Sequence, residues 1–206
     1  MSTLAGFPLS PVARTLAVDP PLSDLEFERL CLQSQVAYER RKDGLLVMNP
    51  PTGLMTGDAN AEILRQLGNW YAATGAGLKG RVCDSSTGFF LPDGSMLSPD
   101  AAFIPPDQLV GLTKAELTGI PRLCPAFVIE LKSVSDSLAE MEAKMQQWAL
   151  NGAKLGWLVD PYRQQVTVYR PGESPIEVTG LAVDGSGPVE GFVLNLGPVW
   201  RCFQTE

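Results

Sequence analysis

The sequence contains no histidine. This excludes Ser-His-Asp and Cys-His catalytic arrangements and every zinc site with a histidine ligand. Its four cysteines, Cys31, Cys83, Cys124 and Cys202, lie far apart and form no CxxC pair. The spacing therefore favours reduced thiols in a cytoplasmic protein over a disulfide framework or a cysteine-ligated metal.

Long apolar runs and basic charge are also scarce. No segment approaches the ~18 consecutive apolar residues of a membrane span, and the N-terminus lacks the basic and apolar parts of a signal peptide. We therefore expect no membrane association and a cytoplasmic location. With 16 basic and 23 acidic residues, the formal net charge is -7. Broad basic surfaces bind nucleic acids, so a nucleic-acid role here would require a local basic cleft or bound cations.

The length and the apolar fraction predict one domain with a core. The chain has 206 residues, of which 45% are hydrophobic, and this suits a single domain better than two. Residues 1–21 contain four prolines and no apolar periodicity, which predicts an extended N-terminal arm. Residues 22–206 are then the single folded domain.

The order of predicted elements indicates an α/β or α+β fold. Helical spacing predicts three long helices: one from a Ser23–Glu26 capping box to about Gln35, one over 55–75 with Gly75 as a stop, and one over 135–152 ending at Gly152. Asp43-Gly44 predicts a hairpin. A strand–helix–strand unit at 126–159 requires one parallel crossover, so we expect a mixed central β-sheet flanked by helices.

Two charged residues interrupt the apolar strand FVIELK. Because side chains alternate across a strand, Val128, Glu130 and Lys132 share one face. Asp100 opens another short strand, DAAFI, and pairing of the two strands would bring Asp100 beside Glu130. Two carboxylates that close repel each other unless a cation lies between them.

A hard divalent cation such as Mg²⁺, with Mn²⁺ as a substitute, suits two such carboxylates. A neighbouring lysine can position the attacking water and offset negative charge on phosphorus. The set Asp100, Glu130 and Lys132 therefore favours hydrolysis of a phosphodiester. The same residues also allow a plain salt bridge between Glu130 and Lys132 at a strand end, with Asp100 as a turn residue.

Other polar residues have two interpretations each. Lys144 lies at the edge of the apolar stripe of its helix, where it can extend to solvent or reach Glu130. Glu39 is flanked by basic residues, which favours a solvated hairpin, with a role as accessory acid as the alternative. Gln147 is a further accessory candidate. The run Arg40-Arg41-Lys42 is a candidate phosphate contact or an ordinary charged turn.

The flanking segments resemble a known family. Pro99-Asp100 followed by Glu130-Leu131-Lys132 resembles the PD-(D/E)XK nuclease signature. The segments YERRKDGLLVM, LSPDAAFI, FVIELKSVSD and EMEAKMQQWALNGAKLGWLVDP, with VTVYRPG and VEGFVLNL, resemble the Uma-two family of restriction endonucleases over roughly residues 22–200. The resemblance implies a restriction-endonuclease-like core, a metal-dependent endonuclease acting on DNA, and a homodimer.

The resemblance also implies roles for single residues. Asp100 and Glu130, with the Leu131 carbonyl, match the metal ligands. Lys132 matches the superfamily lysine, while Lys144 occupies the helix position where many family members carry theirs, so the catalytic lysine stays open between the two. The family often has a histidine near the start of the second helix, and the segment TGLMTGDAN has none. The alternative function is a catalytically inactive, dimeric scaffold or binding protein that keeps the nuclease fold.

Overall fold

The computed structural model describes residues 15–74 and 80–204. Residues 1–14 of the predicted arm and the predicted stop at Gly75 lie outside the described residues. The strands are β1 (Thr15–Leu16), β2 (Ala37–Arg40), β3 (Leu46–Asn49), β4 (Arg81–Asp84), β5 (Phe89–Phe90), β6 (Met96–Leu97), β7 (Ala101–Ile104), β8 (Phe127–Leu131), β9 (Leu155–Asp160), β10 (Gln165–Tyr169), β11 (Ile176–Thr179), β12 (Ala182–Asp184) and β13 (Val193–Asn195). The helices are α1 (Asp24–Gln33), α2 (Leu54–Ala73), α3 (Pro106–Leu109), α4 (Lys114–Thr118), α5 (Leu138–Asn151) and α6 (Leu196–Arg201).

A six-stranded sheet, in the order β11-β10-β9-β8-β7-β4, forms the centre of the fold. Strands β8 and β9 are parallel, and the other neighbours in this sheet are antiparallel. Helix α5 connects the parallel pair, as a parallel crossover requires. The predicted crossover and the mixed central sheet are confirmed.

Helices cover both faces of this sheet. On one face, Ile63 and Leu67 of α2 belong to a core cluster with Phe127 and Ile129 of β8. On the other face, the apolar side of α5 packs with Val128, and its buried members are Met141, Met145 and Trp148. The alternation predicted for β8 is therefore confirmed. It leaves Glu130, on the Val128 face, directed toward α5.

A second, five-stranded sheet carries the predicted hairpin. Its order is β1-β3-β2-β6-β5, and β2 pairs antiparallel with β3. Gly44 in the turn has φ +84°, a conformation that glycine adopts without steric cost. The buried members of its core cluster are Phe27, Leu46, Phe90 and Met96.

The helix ends largely match the prediction. The capping box of Ser23 and Glu26 is present, although α1 ends at Gln33. Helix α5 ends before Gly152, which has φ +119°. Strand β13 ends at Asn195, which caps a further helix, α6. The proline of α6 lies in the first turn, where proline is tolerated.

None of the helices within the described residues has the length and apolar character needed to cross a bilayer. All four cysteines are free thiols. Cys124 is buried and the other three are half-buried.

Candidate active site

Asp100 and the end of β8 are joined by a short hydrogen bond. The pairing of β7 with β8 sets Ala101 opposite Ile129. Asp100, one residue before β7, accepts a hydrogen bond through Oδ2 from the Leu131 backbone N–H at 2.7 Å. The expected strand pairing therefore brings Asp100 to the part of β8 that carries Glu130.

Glu130 is almost completely buried, with 2% of its surface exposed. Its Oε1 accepts a hydrogen bond from the Trp148 indole N–H at 2.7 Å. The Lys144 ammonium lies 3.0 Å from Oε1 and 3.1 Å from Oε2 of Glu130. A carboxylate in this apolar layer is thus compensated by a charged donor and a neutral donor, both from α5.

Lys144 connects three segments that are distant in sequence. Besides Glu130, its ammonium contacts Glu39 Oε1 at 2.9 Å and donates to the Ser98 carbonyl at 2.9 Å. Only 20% of the Lys144 side chain is exposed. Of the two interpretations of this edge lysine, the structure favours the one in which it reaches Glu130.

Glu39 is buried, with 7% of its surface exposed, so the solvated-hairpin interpretation is wrong. Its Oε1 also accepts a hydrogen bond from the Ser98 backbone N–H at 2.9 Å. Flanking basic residues misled the prediction, because alternation along β2 turns Glu39 toward α5 whatever the charge of its neighbours. Glu39, Glu130 and Lys144 form one ion-pair cluster beside Asp100.

Burial controls the ionisation of this cluster. Desolvation raises the pKa of Glu130 to about 8, against the opposing effect of the Lys144 charge. Desolvation also raises the pKa of Asp100, although the Leu131 N–H favours its carboxylate form. Burial alone would lower the pKa of Lys144, but attraction to Glu130 and Glu39 outweighs it, and the pKa is raised. Two acids that lose so much hydration are better ionised when a cation stays close.

Lys132 has different surroundings. Its ammonium donates to the Ser133 carbonyl at 3.2 Å and lies 5.0 Å from the centre of the half-exposed Tyr162 ring. The structure therefore brings together Asp100, Glu130 and Lys144, and directs the Lys132 amine toward the turn after β9.

Gln147 binds the turn between β5 and β6. Its Nε2 donates to Asp93 Oδ2 at 3.1 Å and to Ser95 Oγ at 2.9 Å. These contacts hold the turn at residues 92–94 against α5. The accessory role of Gln147 stays a prediction.

Of the basic run, Arg40 is excluded as a phosphate contact, while the role predicted for the exposed remainder of the run stays a prediction. The Arg40 side chain is buried, paired with Asp24, and bonded to the Gly94 carbonyl at 2.8 Å. Its guanidinium also lies over the Phe27 and Phe90 rings, 5.1 and 5.3 Å from their centres. Arg40 therefore ties α1 to the second sheet and is not available to a phosphate.

Asn60 of α2 is a site residue that the sequence analysis missed. Its Nδ2 donates to Asp100 Oδ1 at 3.0 Å. It lies in the segment noted for its missing histidine, but an asparagine within a helix carries no pattern that predicts a partner 40 residues away.

Comparison with known proteins agrees with this architecture. The crystal structure of "a putative nuclease belonging to DUF820 from Anabaena variabilis ATCC 29413" aligns with 89% of this chain and 100% of its own chain. The TM-score is 0.74 at 19% sequence identity, a likeness that shows the fold. No curated protein matches the chain. The Uma2 family model, described as "Putative restriction endonuclease", matches residues 24–197.

The chain belongs to the Uma2 family. The match covers the hairpin with Glu39, the SPD segment, β8 and α5, so every residue of the ion-pair cluster lies within the part that defines Uma2 membership. Together with the structural likeness, it gives the chain a nuclease-like fold of the restriction-endonuclease class.

A nuclease fold of this class implies a metal site, and the described part of this Uma2 chain has few side chains that could form one. Within residues 15–74 and 80–204, no group of three or more histidine, cysteine, aspartate or glutamate side chains is arranged to hold a metal ion. Mg²⁺, however, typically uses one or two carboxylates and completes its shell with other oxygens. Asp100 and Glu130 supply two carboxylates, and the buried side-chain oxygen of Asn60 has no hydrogen-bond partner. These donors are therefore of the oxygen type that a hard divalent cation accepts.

Proposed function

We propose that this protein is a Mg²⁺-dependent endonuclease that hydrolyses phosphodiester bonds of DNA. The observation that carries the proposal is the meeting of Asp100, Glu130 and Lys144 at one end of β8, within a nuclease-like fold. Family membership supports the nuclease class, and the chemistry of the cluster supports the metal and the phosphodiester.

The acidic and basic residues of the site have different roles. Asp100 and Glu130 would hold the divalent cation, with the Leu131 carbonyl as a third oxygen, and Mn²⁺ would be able to replace Mg²⁺. The bound cation supplies Lewis-acid stabilisation of negative charge on the phosphoryl oxygens. Lys144 orients the attacking water and stabilises the same developing charge. Glu39 holds the Lys144 ammonium from the second sheet, and Trp148 holds Glu130.

Hydrolysis consumes one water. The water oxygen forms a bond to phosphorus in line with the departing 3′ oxygen, and the bond between phosphorus and that oxygen breaks. The 3′ oxygen takes up a proton, which leaves a 3′-hydroxyl and a 5′-phosphate. Lys132, which directly follows β8 and lies beside Tyr162, is proposed as a contact to the DNA backbone.

The non-catalytic alternative has one observation in its favour. Lys144 already compensates Glu39 and Glu130 without a metal, so the cluster also suits a binding protein that keeps a nuclease fold. Under either function we propose a homodimer, which the family resemblance implies. We also propose a cytoplasmic location, which the free thiols favour.

The assay that separates the two functions is cleavage of supercoiled plasmid by the purified protein. We expect Mg²⁺ or Mn²⁺ to support nicking and linearisation with 5′-phosphate ends, because the carboxylates alone repel the phosphate. Excess chelator should stop the reaction. Intact plasmid with both metals, or equal cleavage in chelator, would contradict the proposal. Cleavage of an RNA of the same sequence with the DNA left intact would contradict the proposal that DNA is the substrate.

A further inference from the structure

Of the two polar atoms of the Asn60 amide, the nitrogen has a hydrogen-bond partner among the described residues and the oxygen has none. Its Nδ2 donates to Asp100 Oδ1 at 3.0 Å and so fixes the carboxylate from the α2 side. Its Oδ1 is buried and has no hydrogen-bond partner among the described residues. The contact joins α2 to the residue just before β7. Ala59 and Ile63, which are near Asn60 on α2, are buried in a core cluster.

A buried carbonyl oxygen without a partner destabilises the fold, and such atoms point to a bound water or ion. The other such atom in the described part of the chain is the Trp157 indole nitrogen. The Trp157 ring lies among aromatic rings, 4.9 Å from Phe127 and 5.6 Å from Phe192. The Asn60 oxygen, by contrast, belongs to the same amide that contacts Asp100.

We propose that Asn60 Oδ1 is a further ligand of the divalent cation, an inference that rests on the proposed function. Amide carbonyl oxygens are hard ligands of the kind that Mg²⁺ and Mn²⁺ accept. Asn60 would bind the cation with one end and orient Asp100 with the other, which sets two ligands in fixed relation. A neutral ligand also adds no negative charge beside Asp100 and Glu130.

Two substitutions at position 60 separate ligation from a merely structural role. Asn60→Leu keeps the branched shape and removes both polar ends, so Mn²⁺ affinity measured by calorimetry should fall roughly tenfold or more. Asn60→Asp loses the donor but keeps an oxygen and adds charge, so it should bind Mn²⁺ at least as tightly as the parent. Without metal, Asn60→Asp should melt below the parent, and saturating Mn²⁺ should raise its Tm by more than it raises the parent's.

Two results would contradict the ligand role of Asn60. If Asn60 only orients Asp100, Asn60→Asp should bind Mn²⁺ as weakly as Asn60→Leu, and this would overturn the proposal. So would parental affinity in both variants. Asn69→Asp, the same change at an exposed position of the same helix, is the control and should leave affinity and Tm unchanged. A parent chain that binds no Mn²⁺ would instead overturn the proposed metal-dependent function, and this inference with it.

Discussion

Replacing Lys144 with methionine should lower the free energy of unfolding by about 3–5 kcal/mol, because it leaves buried carboxylates without their cation. Glu130 is 2% and Glu39 7% exposed, so water cannot replace the lost ammonium. The same variant should lose DNA cleavage. Urea unfolding, extrapolated to water, measures the stability change.

The matched control for this prediction is Lys154→Met, at an exposed position just after α5. Exposed charges contribute little, so a change within about 0.5 kcal/mol is expected. Adding Glu39→Gln and Glu130→Gln to Lys144→Met should recover much of the loss, because neutral groups need no cation. The ion-pair cluster would have no structural role if Lys144→Met unfolded at the same urea concentration as Lys154→Met.

Neutral isosteres of the two acids should abolish cleavage. Asp100→Asn and Glu130→Gln keep the shape of each side chain but remove the charge that binds the cation, so we expect the rate to fall on the order of 10²–10³-fold or more. Cleavage of plasmid by folded variants, checked by circular dichroism, measures the effect. Glu142→Gln removes an exposed carboxylate two residues before Lys144 and should cleave like the parent. Parental rates in either acid variant would refute the assignment of that residue.

The strands of the site were predictable because their signals are local. Alternation in β8 predicts that Glu130 shares a face with Val128, which in the structure is the face covered by α5, and the Asp43-Gly44 turn predicts the hairpin that carries Glu39. The resemblance of the SPD and ELK segments to a known family predicted Asp100 as a site residue. These predictions needed only neighbours in the chain or a known pattern.

What could not be predicted depends on distances across the fold. Lys132 is closer to Glu130 in sequence than Lys144 is, yet it is the Lys144 ammonium that contacts Glu130, because α5 crosses over the face of β8. The burial of Glu39 depends on Ser98 and Lys144, which come from a loop and a helix far along the chain. Asn60 depends on the packing of α2 against the sheet, for which its own residue type gives no signal.

The most direct measurement of the central claim is calorimetric titration of the parent chain and of Asp100→Asn with Mn²⁺. Asp100, Glu130 and Lys144 are claimed to form one cation-dependent hydrolytic site. We predict saturable binding of Mn²⁺ by the parent and its loss in Asp100→Asn, with both proteins folded. Absence of binding in the parent, or equal binding in both proteins, would contradict the claim.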